Sequence, residues 1–177
     1  MVVRCRFPCT PGVVGDDDGR KPRPPSSDET DRRKAMRFMI MVRANAQSES
    51  GEMPSDEAIF AAMATYHEEL AKAGALLDAS GLQPSSRGWR VRYSGGKPTV
   101  VDGPFADTKE LIAGYTMIQV RSREEALEWT RRFPAPFGQM ECEIEVRQLY
   151  ELDDFEPNED IERFRRLDAQ RGVPHSG

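Results

Sequence analysis

Val100-Val101-Asp102-Gly103-Pro104-Phe105-Ala106-Asp107-Thr108-Lys109-Glu110-Leu111-Ile112-Ala113-Gly114-Tyr115 is a corner between two extended runs. Val100-Val101 closes the first run, and Asp102-Gly103 signals a turn. Pro104 removes a backbone donor and biases Gly103 away from the right-handed helical region. A polar segment follows Phe105, and the apolar alternation of Ile112–Val120 then predicts a strand. The corner therefore separates a strand belonging to a local hairpin from one that must find partners elsewhere.

Upstream, Gly88–Tyr93 and Pro98–Val101 flank Ser94-Gly95-Gly96-Lys97, and the paired glycines suit a tight hairpin turn. Ala75–Leu82 is a short apolar run stopped by Pro84. Before it, Ile59, Met63, Tyr66 and Leu70 recur at helical spacing. Ser55 is the expected N-cap of that helix, Asp56 and Glu57 suit its positive end, and Gly74 suits its stop. Residues 44–54 read as a polar loop, and Met36–Arg43 alternates as a half-buried strand. Downstream, Ser122-Arg123-Glu124-Glu125 is a capping box opening a helix with Ala126, Leu127, Thr130 and Phe133 on it. Pro134 and Pro136 end that helix, and Glu141–Tyr150 forms the last strand, with Cys142 expected to be buried beside Ile144 and Val146. Ile161, Phe164 and Leu167 mark a short surface helix in the polar tail.

The element order is an α+β one, a ferredoxin-like βαββαβ with an inserted hairpin, both helices covering one face of the sheet. Alternation in the strands gives the opposite face apolar residues too, so a second copy in a homodimer is the economical cover.

The chain has 177 residues, 31% charged and 38% hydrophobic, enough for one domain with tails. Residues 1–35 hold five Pro, three Gly and the triplet Asp16-Asp17-Asp18 without apolar periodicity, the composition of a disordered extension. Met36 opens the ordered pattern and is a candidate translation start. The domain spans 36–155, and 156–177 is a tail. Residues 36–177 carry 17 Lys+Arg against 24 Asp+Glu, a balance that argues against nucleic acid and anionic membrane surfaces as partners. No stretch reaches the ~20 apolar residues of a membrane span, and no secretory apolar region opens the chain, so the cytoplasm is the expected compartment. Three cysteines make no disulfide framework. Cys5 and Cys9 lack companions for a zinc site, and no metal or cofactor is implied. G-x-G-x-x-G, Walker, H-E-x-x-H and nucleophile-elbow patterns are absent.

Five segments carry a family likeness: MRFMIMV at 36–42, Glu68-Glu69-Leu70 with Ala73-Gly74, Gly81-Leu82-Gln83-Pro84, the corner itself, and Glu143-Ile144-Glu145-Val146-Arg147. In this order they resemble the DGPF proteins, a branch of the YCII-related superfamily, over about two thirds of the chain. The resemblance implies a dimeric α/β barrel of two ferredoxin-like protomers packed sheet to sheet, beginning near Met36. It also implies an enzyme-like cleft where a histidine meets an aspartate, and companionship with extracytoplasmic-function sigma factors.

Asp102 is the first candidate catalytic residue. It stands either as an Asx-type turn former or as a general base or ligand anchor facing a cleft. His67, on the flank of the Ile59–Met63–Leu70 stripe, is the candidate acid–base partner, although the histidine the resemblance implies falls nearer Met63. Phe105 and Tyr115 are candidate pocket walls, Trp89 a further one, and Lys109 a candidate anchor for an anionic ligand. For each of these the alternative is a core, interface or solvated position. Function is thus open between a small-molecule-binding or weakly enzyme-like homodimer with Asp102 in its cleft, a regulatory partner of a sigma factor, and a structural dimer.

Overall fold

A computed structural model describes residues 35–52, 56–107 and 110–171. Expectations for the first 34 residues, including Cys5 and Cys9, and for Ser55 and Lys109 fall outside the described residues.

Among the described residues six strands and four α-helices follow in the order β1 (Met36–Arg43), α1 (Ala46–Ser50), α2 (Glu57–Lys72), β2 (Leu76–Gly81), β3 (Trp89–Ser94), β4 (Lys97–Asp102), β5 (Ile112–Val120), α3 (Arg123–Arg131), β6 (Ile144–Gln148) and α4 (Glu159–Arg171). The main sheet has the order β2-β5-β1-β6, and every neighbouring pair is antiparallel. That is the ferredoxin-like arrangement. The β3–β4 hairpin forms a separate two-stranded sheet between β2 and β5 in the chain.

Alternation along the strands sends one set of side chains towards the helices. Phe38 and Ile40 of β1 and Ile118 and Val120 of β5 are buried there with Tyr66 and Leu70 of α2, Ala75, and Ala126 of α3. Trp129, Phe133, Ile144 and Val146 pack around them. Tyr66 ties α2 to α3: its hydroxyl donates to the Trp129 carbonyl at 3.1 Å, and its ring meets Phe133 edge-on at 5.1 Å. Burial pushes its pKa up to about 12, against the lowering influence of Arg132. The C-terminus of α2 closes by Gly74 N–H to the Ala71 carbonyl and Ala75 N–H to the Leu70 carbonyl, at 3.0 and 2.9 Å, delivering Ala75 into the core.

Several local expectations are corrected. The segment read as a polar loop contains α1, which is too short and polar to show a period. Asn45 caps it, with reciprocal bonds to Ser48 at 2.9 and 3.0 Å. Asp56 is the cap of α2, its Oδ1 accepting from Ala58 N–H at 2.9 Å. At α3, Ser122 accepts from Glu125 N–H at 3.2 Å, but the Glu125 carboxylate reaches one residue further back, to Arg121 N–H at 2.9 Å. Phe133 lies beyond the end of α3 yet still packs on the core. The last strand is shorter than expected, starting at Ile144, so Cys142 precedes the sheet and is exposed. Pattern alone could not separate a strand from the extended lead-in that shares its alternation. Among the described residues no helix is long and apolar enough to cross a membrane.

Candidate functional site

The Asp102–Phe105 corner is fastened from below. Gly103 N–H donates to the Gly88 carbonyl at 3.0 Å, closing the root of the hairpin. Its Cα lies so near Ser85 that a Cβ would meet the Ser85 carbonyl oxygen and come within 2.7 Å of its carbon. The next peptide, Gly103–Pro104, is cis. Phe105 N–H donates to Ser85 Oγ at 3.1 Å, while Ser85 donates its hydroxyl to the Glu49 carboxylate and its N–H to Glu49 Oε2 at 3.1 Å. The Arg90 guanidinium covers the half-buried Phe105 ring at 4.1 Å. Glu49 and Ser85 thus hold the corner to α1, a role that no sequence period announces.

Asp102 ends β4 directly opposite Trp89 and is exposed. Among the described residues its carboxylate makes no hydrogen bond, so neither an Asx-type bond nor a partnered base is formed there. His67 sits elsewhere. Its Nδ1 is 2.9 Å from the Met63 carbonyl and its Nε2 is 2.9 Å from Thr116 Oγ1. A carbonyl only accepts, so Nδ1 carries the proton and Nε2 accepts from the threonine hydroxyl. Burial lowers the His67 pKa, opposed by the Met63 bond. The ring is a neutral strut between α2 and β5, satisfying Thr116, which is otherwise an isolated polar group in the core. No hydrogen bond joins it to Asp102.

The other sheet face is different. There β5 presents Tyr115, Met117 and Gln119, β1 presents Met39 and Met41, and β2 presents Asp78 and Ser80. The methionines and Tyr115 are only half-buried. Tyr115 donates its hydroxyl to Asp78 Oδ2 at 2.8 Å. Its pKa is raised, first by that bond, then by burial and by the carboxylate charge, so the phenol remains protonated at neutral pH. The Gln119 side-chain carbonyl oxygen is buried with no hydrogen-bond partner among the described residues. Ion pairs frame this face: Arg37 with Glu151 at 2.9 Å, and Arg43 and Arg147 with Glu145 at 3.3 and 2.5 Å.

Residues 36–151 match the YCII-related domain. The chain belongs to the YCII-related family. It is also 34% identical over 76 residues to an uncharacterised protein of Rhizobium meliloti (strain 1021), a match covering 43% of this chain and 61% of the relative. The chain thus spans less than two thirds of that relative's length.

Within this YCII-related domain no hydrogen bond or ring contact joins the sequence candidates to one another among the described residues. Phe105 belongs to the hairpin root and Tyr115 to the open sheet face, and no ring contact or hydrogen bond links them among the described residues. Trp89 stands on the exposed hairpin. Asp78 was missed, although a lone acid inside the apolar run Ala75–Leu82 was a usable signal. Gln119 gave none. Among the described residues no group of three or more His, Cys, Asp or Glu could hold a metal ion.

Proposed function

We propose that this YCII-related domain acts as a homodimer that binds a small molecule against the open face of its sheet, with Tyr115 and Asp78 as the polar anchor. The observation carrying this reading is the 2.8 Å Tyr115–Asp78 pair, held among half-buried methionines on the face opposite the helix-packed core. Its chemistry defines the ligand class. With the phenol proton committed to Asp78, the phenolic oxygen and the second carboxylate oxygen both remain acceptors. They suit a compound with one or two hydroxyl or amine donors on an apolar body. Thioether side chains adapt to such bodies. Packing two sheets face to face encloses this surface and supplies the low-polarity walls that a ligand site needs.

Thermal-shift titration with a panel of hydroxylated aromatic compounds, catechol among them, tests the reading. At least one compound raises the melting temperature of the wild type, and Tyr115→Phe or Asp78→Asn abolishes the shift. Asp102→Asn serves as the control and retains it. Loss of the shift in Asp102→Asn alone would move the anchor to the hairpin root and refute the Tyr115–Asp78 site.

A further inference from the structure

The β3–β4 hairpin has two unlike faces, and charge divides them. Trp89, Val91 and Tyr93 alternate along β3, and the register sets Asp102, Val100 and Pro98 opposite them. Trp89 is 67% exposed and Tyr93 81%, so the described residues leave this face open. Arg90, Arg92 and Lys97 belong to the reverse face, where Arg90 covers the Phe105 ring. The one charged residue that the two strands place on the apolar face is therefore Asp102.

Its neighbour there is Trp89. Gly103 N–H donates to the Gly88 carbonyl, so the next rung, Trp89–Asp102, is a non-hydrogen-bonded one, where facing side chains stand closest. An exposed indole beside an unpaired carboxylate suits a cation, which ring face and negative charge both attract. Val91, Val100, Tyr93 and Pro98 continue the site as an apolar strip along the hairpin.

One stretch of this chain has the matching chemistry. Arg20-Lys21-Pro22-Arg23-Pro24-Pro25 sets three cations and three prolines within six positions. It lies outside the described residues. Proline-rich segments dock on aromatic surfaces because their extended form has little entropy left to lose. Reach permits the contact within one chain. Arg23 precedes Met36 by thirteen residues, a span of up to about 43 Å when extended. The hairpin root lies at the far end of β1, where Ala44 N–H bonds the Leu111 carbonyl and Glu49 bonds Ser85. Crossing the eight residues of β1 takes only about 27 Å. A tether of this kind supplies an effective concentration on the order of 1 mM, enough for a small contact.

We propose that residues 20–25 strap across the apolar face of the hairpin in their own chain, with Arg23 on Trp89 and Asp102 and its neighbouring prolines along the strip. The strap is separate from the Tyr115–Asp78 face and does not depend on a ligand binding there.

Full-length protein made with 5-fluorotryptophan tests this, because Trp89 and Trp129 are the two tryptophans of the chain and give separate fluorine signals. Arg23→Glu, and separately Pro24→Gly with Pro25→Gly, should move the Trp89 signal and leave Trp129 in place, at every protein concentration. Zero-length carbodiimide coupling of the Arg23→Lys variant, as an equal mixture of unlabelled and nitrogen-15-labelled chains, should join position 23 to Asp102 within chains of one isotope. Asp102→Asn should remove that product, and Asp102 is exposed, so folding is spared. A Trp89 signal indifferent to both segment variants would overturn the strap. Coupling that misses Asp102, or that joins unlike isotopes, would overturn it as well, the latter giving the face to a second copy.

Discussion

At the residue scale, Gly103 and His67 show how little freedom this domain leaves to single side chains. Gly103 is fixed by contact, since its Cα lies against the Ser85 backbone rather than against a movable side chain. Gly103→Ala must displace that turn or distort the corner. We expect a loss of about 1–3 kcal/mol, the usual cost of overpacking, measured as a lower urea midpoint with unchanged slope. His67 is read through pH. Its folded pKa lies below the ordinary 6.5 because burial disfavours the charged ring. The unfolded chain therefore binds more protons, and stability from the neutral ring is complete above about pH 6.5 and is lost as pH falls below it. Denaturation midpoints from pH 7.5 to 5 should fall more steeply for the wild type than for His67→Gln, which keeps a hydrogen-bonding side chain but does not titrate. Parallel profiles would remove His67 from the acid limb.

At the scale of elements, the Glu49–Ser85–Phe105 bonds join three pieces far apart in sequence: α1, the turn after β2, and the hairpin corner. Ser85→Ala removes the acceptor of Phe105 N–H and one donor to Glu49. A cost of about 1–3 kcal/mol is expected for such stranded groups, together with faster amide exchange at Phe105 and little change in the β1–β5 ladder. Uniform acceleration across the sheet would show that the corner is part of the global core instead. The contrast explains what the sequence revealed. The β5 residues Ile112–Val120, the α2 stripe ending at Leu70 and the hairpin glycines announce themselves by period or turn chemistry, and together they determine the ferredoxin-like order. The α1 helix, the true start of β6 and the Ser85 latch rest on tertiary bonds that leave no periodic trace. The Tyr115–Asp78 pair likewise depends on Tyr115 lying across the β2–β5 ladder, which no single segment shows.

At the scale of the whole molecule, the helices protect one face of the sheet and leave Met39, Met41, Tyr115 and Met117 half-buried on the other. The ion pairs of Arg37, Arg43 and Arg147 frame that face with both signs of charge, a pattern that can complement itself under a two-fold rotation. Met117 lies on β5, between β2 and β1, so in the proposed homodimer Met117→Glu would bring an unpaired carboxylate from each copy into the contact. Burying such charges without partners is costly, whereas the isolated protomer tolerates the change because this side chain points away from the core. Sedimentation equilibrium should show self-association weakened at least tenfold, equivalent to about 1.4 kcal/mol, with an unchanged far-ultraviolet circular dichroism spectrum. The same variant should lose any catechol-type thermal shift even though Tyr115 and Asp78 are intact, because in the proposed homodimer the walls of the site come from the opposing sheet. A Met117→Glu protein that stays monomeric and still binds would place the whole ligand site within one protomer.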